Sequence, residues 1–289
     1  MFIHTLLTMV SHSFSHKDLS IHYTKFGSGP TPLFAFHGFA RTGQDFALFE
    51  PYLKERYTIY AFDLFLHGKS SFPKDRIEEK PISKIELKHF FEALLARLSI
   101  PDFALMGYSL GGKIALSLLQ LFPNSVKEIY LLAPDGIILN RWYNFTSRTR
   151  IGRKIYRYIT DNPNSYFTML RILKFTGIIR KKMHTFLLDN MKTKKKRELV
   201  YNIWRTFSLI KPNIDVIQKN IVNHNVTCHL FFGKNDNIIK PKIGQNFVSK
   251  IPNHSSFHLI DCGHVLIREQ TGEIIQKIIN NEKINYHNH

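Results

Sequence analysis

A short motif in the middle of the chain limits the possible folds more than any other feature of the sequence. Gly107-Tyr108-Ser109-Leu110-Gly111 matches the pattern Gly-x-Ser-x-Gly. An apolar run typical of a buried strand precedes it, and a run with the apolar spacing of a helix follows it. Glycine is needed on both sides of such a sharp turn, because a side chain there would clash within the turn. The motif therefore predicts a strand-turn-helix element that exposes the hydroxyl of Ser109.

Two backbone N–H groups are predicted to stabilise negative charge beside Ser109. The N–H of Leu110 lies at the start of the predicted helix, where backbone donors have no helical acceptor. An earlier apolar strand, at 32–36, ends in His37-Gly38-Phe39, and the N–H of Phe39 is the second predicted donor. Donors aimed at a developing oxyanion accelerate acyl transfer. Leu110 and Phe39 are therefore the predicted oxyanion hole.

Two later strand ends carry the groups that activate a serine. The run at 229–236 ends in Asp236, and the run at 259–264 ends in His264. An imidazole removes the proton of an attacking serine, and a carboxylate orients the imidazole. The chain therefore contains all three residues that activate a serine nucleophile, in the order Ser109, Asp236, His264.

This constellation resembles the α/β-hydrolase superfamily over about residues 19–279. The resemblance implies an α/β fold with a mostly parallel eight-stranded sheet, flanking helices and an inserted helical cap. It also implies that Ser109 is the nucleophile, that His264 acts as general base and later acid, and that Asp236 orients the imidazole. No metal ion and no organic cofactor is implied. One departure lies in the turn at 63–70, where Phe65 and Leu66 stand in place of the usual Pro-Gly.

Asp135 is an alternative acid, because it follows an earlier strand, at 129–132. Either carboxylate would reach the far nitrogen of His264. We favour Asp236, since Gly233-Lys234-Asn235-Asp236 is closer to the usual acid loop of the family. For Asp135 we favour a structural role in an Asx turn or a helix cap.

Three residues near the predicted site are candidates for substrate binding: His37, Tyr108 and Lys113. Lys113 lies four residues after Ser109, which is one helical turn along the same face. The segment 109–113 resembles the menaquinone-pathway C–C lyases of this fold, in which an arginine at that place holds a substrate carboxylate. Lysine lacks the bidentate fork of arginine. A solvent-facing helix lysine is an equally good interpretation of Lys113.

Positive charge is concentrated in one segment of the chain. Residues 141–211 contain 18 lysines and arginines and three acids, which gives a local net charge of +15 out of +18 for the whole chain. Apolar residues recur at helical spacing among these charges, a pattern that predicts amphipathic helices. We therefore expect a hydrolase core at 11–135 and 223–280, a basic helical cap at 136–222, and poorly ordered tails at 1–10 and 281–289.

The basic charge permits several partners. A solvated helix surface is the favoured interpretation of the lysine run at 192–197. Attraction of an anionic small-molecule substrate and docking on an anionic membrane surface are sharper alternatives, of which the membrane is not favoured. Nucleic acid is not expected, since no recognised reading motif accompanies the charge. The sequence does not predict an oligomeric state.

The two cysteines and the N-terminus favour a cytoplasmic location. Cys228 and Cys262 lie at strand ends and suit buried thiols in a reducing compartment better than a disulfide framework. The apolar start of the chain, at 1–10, lacks a basic n-region and a cleavage site, and it is too short to span a bilayer.

The sequence therefore predicts a cytoplasmic serine hydrolase that cleaves an ester, thioester or related acyl bond of a partly apolar small molecule. A C–C bond lyase or hydrolase that acts on a carboxylate-bearing substrate, with the same three residues serving as base, is the first alternative. A non-catalytic interaction or membrane-surface protein is the second. The presence of serine, aspartate and histidine in family order argues against the second alternative.

Overall fold

The structure is a computed structural model that describes residues 9–138, 141–177, 185, 188–189 and 191–287. The chain divides into two compact units. The core unit comprises Met1–Phe72, Ile85–Ile137 and Lys211–His289, and the helical unit comprises Pro73–Lys84 and Ile138–Ile210. Parts of the predicted tails and of the predicted cap, including Phe186 and Leu187, lie outside the described residues.

The core unit contains a sheet of eight strands. The strands are β1 (Val10–His16), β2 (Leu19–Phe26), β3 (Thr31–Phe36), β4 (Tyr57–Phe62), β5 (Phe103–Tyr108), β6 (Val126–Leu132), β7 (Thr227–Gly233) and β8 (Ser255–Ile260). Their order across the sheet is β1-β2-β4-β3-β5-β6-β7-β8. β2 is antiparallel to β1 and β4, and the other pairs are parallel. The predicted mostly parallel sheet of eight strands is confirmed.

The helices have the following bounds: α1 (Glu50–Leu53), α2 (Arg76–Glu79), α3 (Lys84–Leu98), α4 (Leu110–Leu121), α5 (Arg141–Arg148), α6 (Arg150–Asp161), α7 (Pro163–Phe175), α8 (Lys194–Thr206), α9 (Ile214–Asn223), α10 (Pro241–Val248) and α11 (Glu269–His287). Short 3₁₀ helices occupy Gly43–Phe49 and Pro252–His254. Of the helices within the described ranges, none is long and apolar enough to cross a membrane.

The central parallel strands read as continuous apolar runs because helices cover the sheet. Every residue of β5 is buried, and so are the last four residues of β3. Rings from two strands and α3 interlock in the core, with Phe34 and Phe36 of β3 contacting Phe62 and Phe91. The carboxyl ends of β3, β5, β7 and β8 meet at one edge of this sheet, the edge where α/β folds place their sites.

A short segment outside the main cap region joins the helical unit. Glu78 of α2 accepts hydrogen bonds from Arg157 and Tyr201, and its backbone carbonyl accepts two from Arg205. These contacts explain why 73–84 clusters with 138–210. The sequence analysis did not assign 73–84 to the cap, and it placed α9 in the cap, whereas α9 clusters with the core unit.

Candidate active site

Ser109 lies at a strained turn between β5 and α4. Its backbone has φ +50° and ψ −115°, a conformation that non-glycine residues adopt only when the surroundings enforce it. The Ser109 carbonyl accepts hydrogen bonds from the N–H groups of Gly112 at 2.9 Å and Asp135 at 2.8 Å. A Cβ atom at Gly107 would lie 2.7 Å from Gly112 Cα, and one at Gly111 would lie 1.9 Å from a strand carbonyl. The motif is glycine-rich because no side chain fits at either position.

His264 connects Ser109 to a carboxylate. Its Nε2 atom lies 3.0 Å from Ser109 Oγ, and its Nδ1 atom lies 2.7 Å from Asp236 Oδ2. A carboxylate only accepts hydrogen bonds, so Nδ1 carries the proton and Nε2 accepts from the serine hydroxyl. The side chain of Asp236 is fully buried, and its Oδ1 atom accepts from the N–H groups of Ile238 and Ile239. The structure thus brings together the three residues that the sequence singled out.

The loops that carry Asp236 and His264 are joined through their backbones. Lys234 N–H donates to Ile260 at 2.8 Å, and Asn235 N–H donates to Cys262 at 2.9 Å. A Cβ atom at Gly233 would lie 2.0 Å from the carbonyl of Gly263. Glycine at the end of β7 therefore allows the close approach that aligns the carboxylate with the imidazole.

Asp135 contacts the turn that carries Ser109 through its backbone N–H, which donates to the Ser109 carbonyl. Besides its N–H bond to Ser109, its Oδ1 atom accepts from the N–H of Gly136 at 2.8 Å. Gly136 has φ +101°, a conformation that favours glycine. The described contacts of Asp135 therefore support the turn around Ser109, and the carboxylate beside His264 is that of Asp236.

The loop that follows β3 passes directly against Ser109. A Cβ atom at Gly38 would lie 3.3 Å from Ser109 Cβ and 2.9 Å from the ring of Tyr108. The next residue, Phe39, makes no described hydrogen bond through its N–H. Leu110 is the first residue of α4, and its N–H has no acceptor within the helix. Both predicted oxyanion donors thus belong to the segments that adjoin Ser109.

His37 anchors this loop from inside the protein. The side chain is fully buried, its Nδ1–H donates to the carbonyl of Gly38 at 2.6 Å, and its Nε2 accepts from the N–H of Leu64 at 2.9 Å. Burial, together with the neighbouring His67, lowers the pKa of His37 to about 3. The imidazole is therefore neutral at physiological pH. The sequence analysis proposed His37 for substrate contact, whereas both of its ring nitrogens are occupied within the protein.

Asp63 organises the turn in which the chain departs from the family pattern. Its carboxylate accepts hydrogen bonds from the N–H groups of Gly43 at 2.8 Å and Lys69 at 2.9 Å, and from His22 Nδ1 at 3.0 Å. A Cβ atom at Gly68 would lie 2.0 Å from this carboxylate, and Gly68 has φ +50°. Asp63 is therefore a structural centre that the sequence analysis did not assign.

His67 connects this turn to the loop after β3. Its Nδ1–H donates to the carbonyl of Phe65, and its Nε2 accepts from the N–H of Ala40 at 3.2 Å. Burial lowers the pKa of His67, so the ring is neutral. Leu66 adopts φ +65°, so it takes the left-handed backbone that a glycine usually provides at this place. In the sequence, the only indication of this pair was that Asp63 and His67 stand four residues apart in the turn at 63–70, which resembles the family pattern.

Tyr108 contacts the imidazole loop from the strand that precedes Ser109. Its hydroxyl donates to the carbonyl of His264 at 3.1 Å, and its ring lies 5.4 Å from the imidazole centroid. The guanidinium of Arg41 lies 6.0 Å from the ring centroid of Tyr108 and pairs with Asp45 at 2.8 Å. Burial raises the pKa of Tyr108 to about 12, so the phenol stays protonated.

Lys113 is completely buried, although it lies in a helix. Ten of the twelve residues of α4 are buried, so the helix has almost no solvent face. The interpretation of Lys113 as a solvent-facing helix lysine is therefore wrong. Its role in binding a substrate carboxylate stays a prediction.

Metal-ligand groups and free thiols are the other kinds of reactive feature that a protein can carry. Among the residues that the structure describes, no group of three His, Cys, Asp or Glu side chains could hold a metal ion. Cys228 and Cys262 are both free, and burial raises the pKa of the Cys228 thiol far above its usual range. Cys262 donates from its thiol to the carbonyl of Gly263. Neither thiol is described in contact with Ser109 or His264.

Comparison with known sequences identifies a family and several relatives. The family model described as alpha/beta hydrolase fold matches residues 31–270, which is most of the chain. The "uncharacterized hydrolase YugF" of Bacillus subtilis is 22% identical over 277 residues, which cover 92% of this chain and 95% of the relative. Human (lyso)-N-acylphosphatidylethanolamine lipase is 34% identical over 114 residues, which cover 38% of this chain and 32% of the lipase.

Solved structures of the same fold extend the likeness over nearly the whole chain. An esterase from Thermogutta terrifontis superposes with a TM-score of 0.66 at 16% identity, covering 97% of this chain and 99% of the esterase. At this identity the likeness shows the fold alone, whereas the family model spans more than half of the sequence. The chain is therefore an enzyme of the alpha/beta hydrolase fold family.

Proposed function

We propose that this hydrolase cleaves an ester, thioester or related acyl bond of a partly apolar small molecule through Ser109. One observation carries the proposal: His264 lies between Ser109 Oγ and the buried carboxylate of Asp236, at 3.0 and 2.7 Å. This arrangement suits removal of a proton from a serine hydroxyl by a correctly oriented neutral imidazole. The strained backbone of Ser109 agrees with a functional turn, because such strain is concentrated at active sites.

The proposed reaction has two halves. Ser109 Oγ attacks the acyl carbon while His264 Nε2 accepts the hydroxyl proton, and the N–H groups of Phe39 and Leu110 stabilise the oxyanion. His264 then donates that proton to the leaving oxygen or sulfur as the carbon–heteroatom bond breaks, which leaves an acyl group on Ser109. In the second half, His264 deprotonates a water that attacks the acyl-enzyme, and the proton returns to Ser109 on release of the acid.

The names of similar proteins support an acyl substrate. The structural neighbour from Thermogutta terrifontis is an esterase, and the human relative over 114 residues is a lipase. Both names describe cleavage of ester-type bonds. The identity and length of the acyl group depend on the pocket around Ser109, and the fold alone does not determine them.

A fluorophosphonate probe tests the proposal directly. We expect wild-type protein to gain one covalent adduct on Ser109 by intact mass and peptide mapping, and Ser109→Ala to gain none. Para-nitrophenyl esters of rising chain length should then identify an acyl preference. No adduct and no ester turnover would contradict the proposal. Elimination from a carboxylate-bearing substrate that Lys113→Ala abolishes would then favour the C–C lyase alternative.

A further inference from the structure

Many of the basic residues in the helical unit are paired with other groups of the protein, at its surface or in its interior. Arg157 pairs with Glu78, and Lys194 pairs with Asp161 at 2.8 Å. Arg197 is buried and donates to two backbone carbonyls, and Arg205 is buried and donates to the carbonyl of Glu78. The net charge of this region therefore overstates the charge that is available to a partner.

A second group of basic residues is exposed and has no acidic partner among the residues that the structure describes. The group lies on α5, α6 and α7, and no acidic partner is described for any of its members: Arg148, Arg150, Lys154, Arg171 and Lys174. Arg150 and Lys154 are four residues apart, so they lie on one side of α6. These five residues supply positive charge that the described part of the protein does not neutralise.

An exposed apolar stripe runs beside these charges on α6. Ile151 is 67% exposed, Ile155 38% and Tyr158 62%. Their spacing of four and three residues places them on one face of the helix. The buried face of α6 is formed by a different set, whose members are four residues apart: Gly152, Tyr156 and Thr160. The stripe is thus not part of the core of the helical unit.

The next helix repeats this composition. Ile172 is 56% exposed and Phe175 is 93% exposed, and each follows a basic residue directly, Arg171 and Lys174. Each of the two helices thus carries adjacent exposed apolar side chains beside basic ones, a pattern that marks an interaction site. We call the five apolar and five basic residues together the apolar–basic surface.

We propose that the apolar–basic surface docks on membranes that contain anionic lipids. Helices with aliphatic and aromatic side chains on one face and Lys or Arg beside it bind in the plane of a bilayer interface. The apolar side chains enter the acyl boundary, and the basic side chains contact lipid phosphates and carboxylates. Charge complementarity selects an anionic lipid surface as the occupant. The inference does not depend on the proposed hydrolysis.

Vesicle flotation of the full chain tests this docking. We expect the protein to float with vesicles of phosphatidylcholine and phosphatidylserine and to remain unbound with phosphatidylcholine alone. Raising the salt concentration should release it, because ions screen the attraction between the basic residues and the lipid. No flotation with the anionic vesicles at low salt would overturn the proposal.

Two variants separate the charged and apolar contributions. Reversing two charges in Arg150→Glu/Lys154→Glu should weaken vesicle binding on the order of a hundredfold, since each basic residue near an anionic surface strengthens binding several-fold. Ile151→Ser/Tyr158→Ser should weaken it by roughly tenfold or more through the loss of buried apolar area. Both variants change exposed side chains, and circular dichroism together with turnover of a soluble ester verifies that the fold is retained.

Matched controls lie in the core unit. Ile85 is 68% exposed, which is close to the value for Ile151, and Lys242 and Lys250 are exposed. Ile85→Ser and Lys242→Glu/Lys250→Glu should leave vesicle binding within about twofold of wild type, since these residues lie outside the apolar–basic surface. Equal effects of the control and test variants would overturn the proposal. Self-association lost in Ile151→Ser/Tyr158→Ser, with vesicle binding unchanged, would instead identify a second copy of the chain as the occupant.

Discussion

The hydroxyl of Tyr108 donates a hydrogen bond to the backbone carbonyl of His264 at 3.1 Å, and the Tyr108 ring packs on the imidazole. The residue immediately before Ser109 thus holds the loop that carries the proposed base. The guanidinium of Arg41 lies over the same ring, and a Cβ atom at Gly38 would lie 2.9 Å from it. Tyr108 therefore links the strand of the nucleophile to the loop of the histidine.

Tyr108→Phe should lower kcat by several-fold while leaving KM nearly unchanged, because a net hydrogen bond contributes about 1 kcal/mol and this one positions the imidazole. Steady-state kinetics on the best ester, measured across pH, checks this expectation. Tyr130→Phe is the matched control, since Tyr130 is a buried tyrosine whose hydroxyl donates to Glu128. An equal loss of kcat in both variants would indicate a general effect on stability.

Ser109→Ala and His264→Ala should each lower turnover on the order of 10⁴-fold or more, with the fold retained. The double variant should lose little further, because the two residues act as a unit. Turnover and circular dichroism measured on the same preparations check both parts. Wild-type turnover by Ser109→Ala would exclude the covalent mechanism.

Asp236→Asn should lower kcat by orders of magnitude, because the N–H groups of Ile238 and Ile239 hold the amide oxygen and the NH2 group then faces His264 Nδ1, which favours the wrong tautomer of the imidazole. Asp135→Asn should leave kcat within a few-fold, since an amide oxygen can still accept from the N–H of Gly136. Kinetics of the two variants against wild type distinguish the residues. The opposite ranking would assign the acid to the strand end of β6.

Stability should fall as the pH drops below about 6.5. The pKa of His37 is about 3 in the folded protein against an ordinary value of 6.5, so the unfolded chain takes up its proton first. The stabilisation from a neutral His37 is complete above pH 6.5 and is lost as the pH falls toward 3, at no more than about 1.4 kcal/mol per pH unit. His258, whose pKa is lowered to about 4 by burial, acts in the same direction.

Urea unfolding between pH 7.5 and pH 4.5 measures this dependence. His258→Gln should reduce the slope without removing it, because His37 remains. A free energy of unfolding that stays constant, or that rises as the pH falls, would contradict the neutral assignment of these histidines.

Leu66→Gly should be more stable than Leu66→Ala by about 1 kcal/mol, because Leu66 has φ +65° and the left-handed backbone disfavours any Cβ. Lys88→Gly and Lys88→Ala provide the control, since Lys88 is a partly exposed residue within α3 whose side chain is 45% exposed. There the order should reverse, with glycine less stable by about 1 kcal/mol. Thermal unfolding of the four variants measures the stability difference between glycine and alanine at each position. The same order at both positions would contradict strain at Leu66.

Much of the fold can be predicted from the sequence because its signals are local. The strand before Ser109 is a continuous apolar run, and the glycines around the serine are required by the turn itself. The acid loop and the histidine also follow apolar strands. Parallel strands bring their carboxyl ends to one edge, so chain order alone indicates that these residues meet.

Long-range contacts account for what the sequence does not predict. The burial of Lys113 depends on packing around all sides of α4, whereas an isolated lysine in a helical pattern reads as solvated. His37 and His67, which anchor their loops, each accept a hydrogen bond from a backbone N–H that lies 27 residues away in the chain. Glu78 likewise contacts Arg157, 79 residues further along the chain. No local pattern in the sequence encodes such pairings.

The helical unit is formed by two separate stretches of chain, so recombination between relatives cannot exchange it as one continuous segment. Residues 73–84 and 138–210 are separated by 85–137, which belong to the core unit. A recombinant that received only the longer stretch from a relative would place Arg157 and the buried Arg205 against a foreign segment in the position of Glu78. Arg157 would lose its carboxylate partner unless the foreign segment carried an acid there, and the buried Arg205 would lose its acceptor if the foreign backbone followed a different course. A recombination that preserves these contacts therefore needs one pair of breakpoints around each stretch. We expect the two stretches to evolve together.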